Sequence, residues 1–167
     1  MTLRLAAGPL TLRLWTDADA PVVLEGFRDP GVAAWALEPV TDLTQARARI
    51  RARTDGWVDG SRAAFAIIDT RTDAVLGQIG LRLAADEAEV GYWTLPEARG
   101  RGVASAALNM VADWAFGALD LTRIKLFHSV VNPASCRVAE RGGFRLVAEL
   151  DPTERWPAPG HLHMWDC

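Results

Sequence analysis

The sequence predicts an α/β (α+β) domain in which a mixed central sheet of about seven strands carries helices on both faces. Three observations lead there. Stretches of strand-like alternation are interleaved along the chain with stretches of helical periodicity. A pair of glycines, Gly100 and Gly102, stands where one strand gives way to one helix. With 167 residues and no internal repeat or low-complexity linker, a single domain over residues 1–167 is the economical reading.

The elements follow in order. Leu10, Leu12 and Leu14 alternate with Thr11, Arg13 and Trp15, which predicts a strand over residues 10–15. Thr16-Asp17 offers an N-cap to a helix through Phe27, and Asp29-Pro30-Gly31 breaks it. A second helical stretch places Leu43, Ala46, Ile50 and Trp57 on one face and stops near Asp59-Gly60. Residues 63–69 and 75–83 read as a hairpin that continues through Ala85-Asp86 into a third strand over 88–95. On that strand Glu89, Gly91 and Trp93 share one face, because successive side chains alternate. Pro96, lacking an N–H, ends the pairing. Val103, Ala107, Val111 and Trp114 then recur at helical spacing, and the pattern stops at Gly117. A strand over 123–130 follows, then a helix opened by Asn132-Pro133, an expected N-cap and N1 pair, and strands around 144–150 and 161–165.

Composition removes several function classes. The longest apolar runs, 32–37 and 63–68, are far too short to cross a bilayer, and the first residues lack the apolar segment of a signal peptide. No membrane association and a cytoplasmic location are therefore expected. The net charge of −3, with one lysine, Lys125, among 18 basic residues, argues against broad nucleic-acid binding. Cys136 and Cys167 give no disulfide framework. His161 and His163 share a strand face near Cys167, but no third ligand stands at a suitable spacing, so no metal is expected. His128 lies on a strand, where a histidine is usually structural, and is a second choice of base.

The run from Pro96 to Ala104 carries the chemistry. At a helix entrance the first backbone N–H groups have no partner and the macrodipole favours an anion; glycines at 100 and 102 let that anion approach closely, and Arg99 and Arg101 add positive charge. A Walker loop would need Gly-Lys-Ser/Thr, and a dinucleotide fingerprint a third glycine where Ser105-Ala106-Ala107-Leu108 stands.

Arg99-Gly100-Arg101-Gly102-Val103-Ala104 resembles the Arg/Gln-x-x-Gly-x-Gly/Ala signature of the GNAT superfamily of N-acetyltransferases. Asn132-Pro133-Ala134-Ser135 and the later Gly143-Phe144 are similar to the Asn-x-x-Ser helix of its Rim-type branch, the ribosomal-protein alanine N-acetyltransferases. The resemblance implies a GNAT-type sheet and transfer of an acetyl group from acetyl-CoA to a primary amine within a ternary complex. The acceptor is then a protein N-terminal amine or a small-molecule amine, and the protein a monomer or homodimer. The alternative is a non-catalytic CoA-binding sensor, because the superfamily's usual tyrosine is replaced by Ala139 and Tyr92 is the only tyrosine.

By that resemblance the CoA contacts fall on Trp93, Thr94, Leu95, Arg99, Gly100, Arg101, Gly102, Val103, Ala104, Ser105, Asn132 and Arg137. Backbone groups at 93–95 would meet the pantetheine arm, and Arg99 and Arg137 the phosphates. Glu89 is the candidate base, acting directly or through water; the competing reading is an exposed charge paired with Arg82. Ser135 is the candidate acid and Asn132 an orienting amide, although both also suit a simple helix cap. Trp35 and Trp57, in the segment that walls the acceptor pocket in this family, are candidate acceptor contacts.

Overall fold

The structure, a computed structural model, describes residues 3–34, 38–154 and 156–167. The chain runs β1 (Arg4–Ala7), β2 (Leu10–Arg13), α1 (Ala20–Arg28), α2 (Pro30–Ala33), α3 (Leu43–Asp59), β3 (Arg62–Asp69), β4 (Val75–Ala84) and β5 (Glu87–Thr94). It continues with α4 (Val103–Ala118), β6 (Arg123–Ser129), α5 (Pro133–Arg141), β7 (Arg145–Leu150) and β8 (Gly160–Asp166). The strands form one sheet in the order β1-β2-β3-β4-β5-β6-β8-β7. Its mixed character rests on one parallel pair, β5 with β6, whose crossover is α4. No helix among the described residues is long and apolar enough to cross a membrane.

Three elements differ from the sequence reading. The sheet gains an eighth strand, β1, a short edge strand with mostly exposed side chains that leaves little alternation to read. The first helix begins at Ala20, because residues Asp17–Asp19 form a 3-10 turn first. The break at Asp29 holds a single helical turn, α2, capped by the Asp29 carboxylate through the Val32 N–H at 3.1 Å.

Period-two alternation on β3 divides the interior into two layers. Phe65 and Ile67 point to the side of α4, where Ala107, Leu108, Val111, Ala112 and Ala115 are fully buried. Ala66 and Ile68 point to the other side, onto Val23, Phe27 and Ile50 of α1 and α3. The steps between the α4 residues keep them on one helix face, so one stripe of the helix covers the sheet.

The parallel pair is held at one end only. Its register runs from Glu87 opposite Arg123 to Val90 opposite Leu126 and stops there. Arg123 binds Glu87 at 2.7 Å and Asp166 at 2.6 Å, Lys125 also binds Glu87, and Arg145 binds Asp166. These charges tie β5, β6, β8 and β7 together at the closed end. Beyond Val90, β5 stays with β4 as far as Thr94 opposite Gly77, while β6 stays with β8 as far as Ser129 opposite Gly160. The two strands therefore part.

The 3-10 turn before α1 is fixed by Asp19, whose carboxylate takes two hydrogen bonds from Arg13, at 2.7 and 2.8 Å, and two from Thr16, at 2.8 and 2.9 Å. Burial alone would raise the Asp19 pKa, but these bonds outweigh it and hold it below the ordinary carboxylate value. A carboxylate depressed in the folded state stabilises fully above its unfolded pKa of about 4, and that stability is lost as pH falls through the folded value. Asp19→Asn should cost about 2 kcal/mol in urea denaturation at pH 7, and the difference from the parent protein should shrink as the pH falls below about 4.

Candidate active site at the parting of the sheet

The parting of β5 from β6 opens a cleft of about 780 Å³ whose floor is Val90 to Thr94 on one side and Leu126 to Ser129 on the other. The α4 and α5 N-termini bound one half, and α1, α2 and α3 the other. The size suits an elongated cofactor together with part of a second substrate. A Cβ placed on Gly91 would meet nothing within 4 Å, so the floor is open at the very point where the pairing ends. Gly77 has the opposite reason to be glycine: a Cβ there would lie 2.2 Å from the Trp93 carbonyl oxygen, and its absence lets β4 hold β5 tightly.

The α4 entrance is built on two glycines. Gly100 and Gly102 have φ of 71° and 75°, a left-handed conformation in which a side chain is strained. Gly102 caps α4 without any side-chain hydrogen bond, leaving the first-turn amides of Val103, Ala104 and Ser105 to face the cleft they line. Trp93, Thr94, Arg99 and Arg137 also line it. The Arg99 guanidinium spans the cleft edge, 3.1 Å from Asp29 and 3.3 Å from the Thr94 carbonyl. That contact is the main reason the Asp29 carboxyl sits below its usual range.

Two expected cofactor residues are turned elsewhere. The Arg101 side chain lies 3.6 Å from Asp69, outside the main cleft, so its position offers backbone rather than charge. Leu95 is buried and its N–H donates to the Leu76 carbonyl at 2.9 Å, which removes it from the free edge of β5. Arg141, one turn beyond Arg137 on α5, lines the cleft and was not among the expected residues.

Ser135 and Asn132 stand in the cleft together. Asn132 Oδ1 accepts the Ser135 N–H at 3.2 Å, so the helix cap and the cleft position coincide. Ser135 is buried, and its Oγ accepts a hydrogen bond of 3.0 Å from the Tyr92 hydroxyl. Burial pushes the Tyr92 pKa up to about 12, with the Ser135 hydrogen bond opposing that shift, so the phenol keeps its proton at neutral pH. Alternation on β5 was the available signal for Tyr92: it points to the face opposite Glu89, Gly91 and Trp93, toward α5.

Glu89 pairs directly with Arg82 in the β4–β5 register, with 3.5 Å between the charged groups, and does not line the cleft, whereas Arg82 does. No carboxylate lines the cleft among the described residues. The half bounded by α1, α2 and α3 instead carries Arg49, Arg53, Arg62 and Arg82. Arg53 is only 6 % exposed, lies over the Trp15 ring at 5.3 Å and leaves Nη1 buried without a hydrogen bond. Burial first, then Arg49 and Arg62, push its pKa down to about 9, so it remains a cation at neutral pH. Arg49 lies over Phe27 at 4.6 Å.

Trp57 does not line the cleft. Its ring packs on Phe65 and Trp114, with centroids 5.1 and 5.7 Å away, and its N–H donates to the Ala64 carbonyl at 3.0 Å. A position near the end of α3 brings it to the α4 side of the sheet, away from the cleft. Trp35 lies outside the described residues. The expectation that His161 and His163 lack further ligands also fails. His128 and Cys136 join them, with one ligand atom from each of the four within 4.8 Å of every other, whereas the Cys167 N–H donates to the Thr122 carbonyl.

Residues 9–145 match the acetyltransferase (GNAT) domain family. The chain is 36% identical to the uncharacterized N-acetyltransferase p20 of Bacillus licheniformis over 157 residues, 92% of this chain and 87% of that one. Among solved structures, the ribosomal-protein-S5-alanine acetyltransferase of Vibrio fischeri superposes with a TM-score of 0.84 at 19% identity, covering 98% of this chain and 96% of the other. The spermidine N-acetyltransferase of Vibrio cholerae, solved with CoA and spermine, superposes with a TM-score of 0.79 at 21% identity, covering 95% of both chains. The parted parallel pair, the uncapped α4 entrance and these similarities agree: the chain belongs to the GNAT acetyltransferase family.

Proposed function

We propose that the protein transfers an acetyl group from acetyl-CoA to a primary amine, directly and within a ternary complex. The observation that carries this reading is the free edge of β5 between Gly91 and Thr94, set between an uncapped helix entrance and the Tyr92–Ser135 pair. Acetyl-CoA supplies the acyl group as a thioester. The α4 first-turn amides hold its pyrophosphate, with Arg99 and Arg137 adding charge, and the β5 edge at Trp93 and Thr94 holds the pantetheine amides. Asn132 keeps Ser135 at the cleft by capping α5.

The chemistry asks for three things: removal of the amine proton, stabilisation of charge on the carbonyl oxygen, and a donor for the departing thiolate. Ser135 is the donor. Because Tyr92 supplies the hydrogen bond that Ser135 Oγ accepts, the serine's own proton is left to point at the sulfur. Glu89, outside the cleft lining and paired with Arg82, serves as base through water rather than by contact. The arginines of the acceptor half favour an amine that also bears a carboxylate or phosphate, whether a small molecule or the N-terminus of an acidic protein segment.

Thiol release from acetyl-CoA, measured over an amine panel, tests this. Turnover is expected to be faster with acidic amines than with spermidine; a preference for spermidine would refute the acceptor class, and no release with any amine, despite bound acetyl-CoA, would point to a CoA sensor. Ser135→Ala and Glu89→Gln should each lower kcat by about 10²-fold, and unchanged rates across pH for either would remove that residue from the proton path. Since Tyr92 keeps its proton to about pH 12, the alkaline limb of the pH–rate profile should be the same in Tyr92→Phe. Arg53→Gln should lower kcat/KM for acidic amines at least about tenfold, with the KM for acetyl-CoA unmoved.

A further inference from the structure

We infer that His128, His161, His163 and Cys136 form a zinc site that fastens α5 to the β6–β8 wall. The β6–β8 register sets His128 opposite His161, and His163, two residues further along β8, shares the face of His161. Cys136 comes down on that face from α5, immediately after Ser135. The chain's three histidines and one of its two cysteines thus meet at one point, although 35 residues separate His128 from His163.

The spacing suits a tetrahedral ion. Zinc bonds of about 2.0 Å to nitrogen and 2.3 Å to sulfur put tetrahedral nitrogens about 3.3 Å apart and nitrogen and sulfur about 3.5 Å apart. His128 Nε2 lies 3.1 Å from His163 Nε2, and Cys136 Sγ lies 3.9 Å from the same atom. His128 Nδ1 is 2.8 Å from the Ser129 carbonyl, a place only an N–H can take, so in the neutral ring Nε2 presents a lone pair to the cluster. His163 is fully buried, and its Nδ1 is buried without a hydrogen bond. His161 Nδ1 is also buried without a hydrogen bond. Three imidazoles and a thiol concentrate lone pairs at one point, and nitrogen with sulfur selects zinc over magnesium or calcium. Cys136 and His161 are only partly buried, which leaves an entry path. A bound ion would restrain the helix that carries Asn132 and Ser135 and would do so whatever the acceptor amine.

The full-length protein, stripped with a chelator and dialysed against zinc and then metal-free buffer, should retain one zinc per chain by atomic emission. Substitution with cobalt should give the strong visible bands of a four-coordinate ion and a thiolate-to-cobalt absorption. Cys136→Ser should lose the thiolate absorption, and His161→Asn, at a partly buried position, should weaken zinc binding at least about tenfold with the fold intact by circular dichroism. Retention below about 0.2 zinc per chain would mean that the histidines are joined by hydrogen bonds alone and would overturn the proposal. So would a cobalt spectrum without the thiolate absorption, or unchanged stoichiometry and affinity in both variants.

Discussion

The parting of β5 from β6 beyond Val90 and Leu126 is the constraint on which the rest of the molecule depends. A parallel pair needs a long crossover, and here the crossover is α4, whose N-terminus comes back to the sheet where the pairing has just ended. The closed end is held by Arg123 and Lys125 on β6 against Glu87 on β5, and by Asp166 on β8. At the open end β5 has lost one neighbour while keeping the other, so backbone polar groups that a continuous sheet would have paired are left for a ligand. Closing that gap by two or three more ladder pairs would shut the cleft without changing a side chain in it.

Positive potential occupies both halves of the cleft, by different means. On the α4 side it comes from backbone amides and glycines, which give an anion a fixed cradle with little side-chain entropy to lose. On the α1–α3 side it comes from arginines, one of them buried with no carboxylate beside it among the described residues. An uncompensated buried cation is costly to a fold, and the acidic acceptor proposed above would supply the anion that Arg53 lacks.

What could be read from the sequence was local. Gly100 and Gly102 announce left-handed backbone, Asn132-Pro133 announces a helix start, and the α4 periodicity announces its buried stripe, because each is written within a few residues. What could not be read depends on contacts across the chain. Tyr92 and Ser135 are 43 residues apart, and only the packing of α5 against β5 joins them. Position in the chain suggests an acceptor contact for Trp57, but the direction of its ring at the end of α3 sends it to Phe65 and Trp114. Arg101 reads as added positive charge at the glycine loop, but Asp69 lies within its reach, and the His-x-His pair reads as incomplete until β6 and α5 supply His128 and Cys136. β1 escaped because a short, exposed edge strand has no buried face to pattern.

Backbone-amide NMR during titration with CoA tests the central claim most directly, since the cleft is held to bind through main chain at two named places. The largest shifts should fall on Gly100, Gly102, Val103, Ala104 and Ser105 and on Trp93 and Thr94, with the Leu95 amide, already bonded to Leu76, moving much less. Shifts confined to arginine-bearing surface positions, with the α4 entrance and the β5 edge unmoved, would contradict the account.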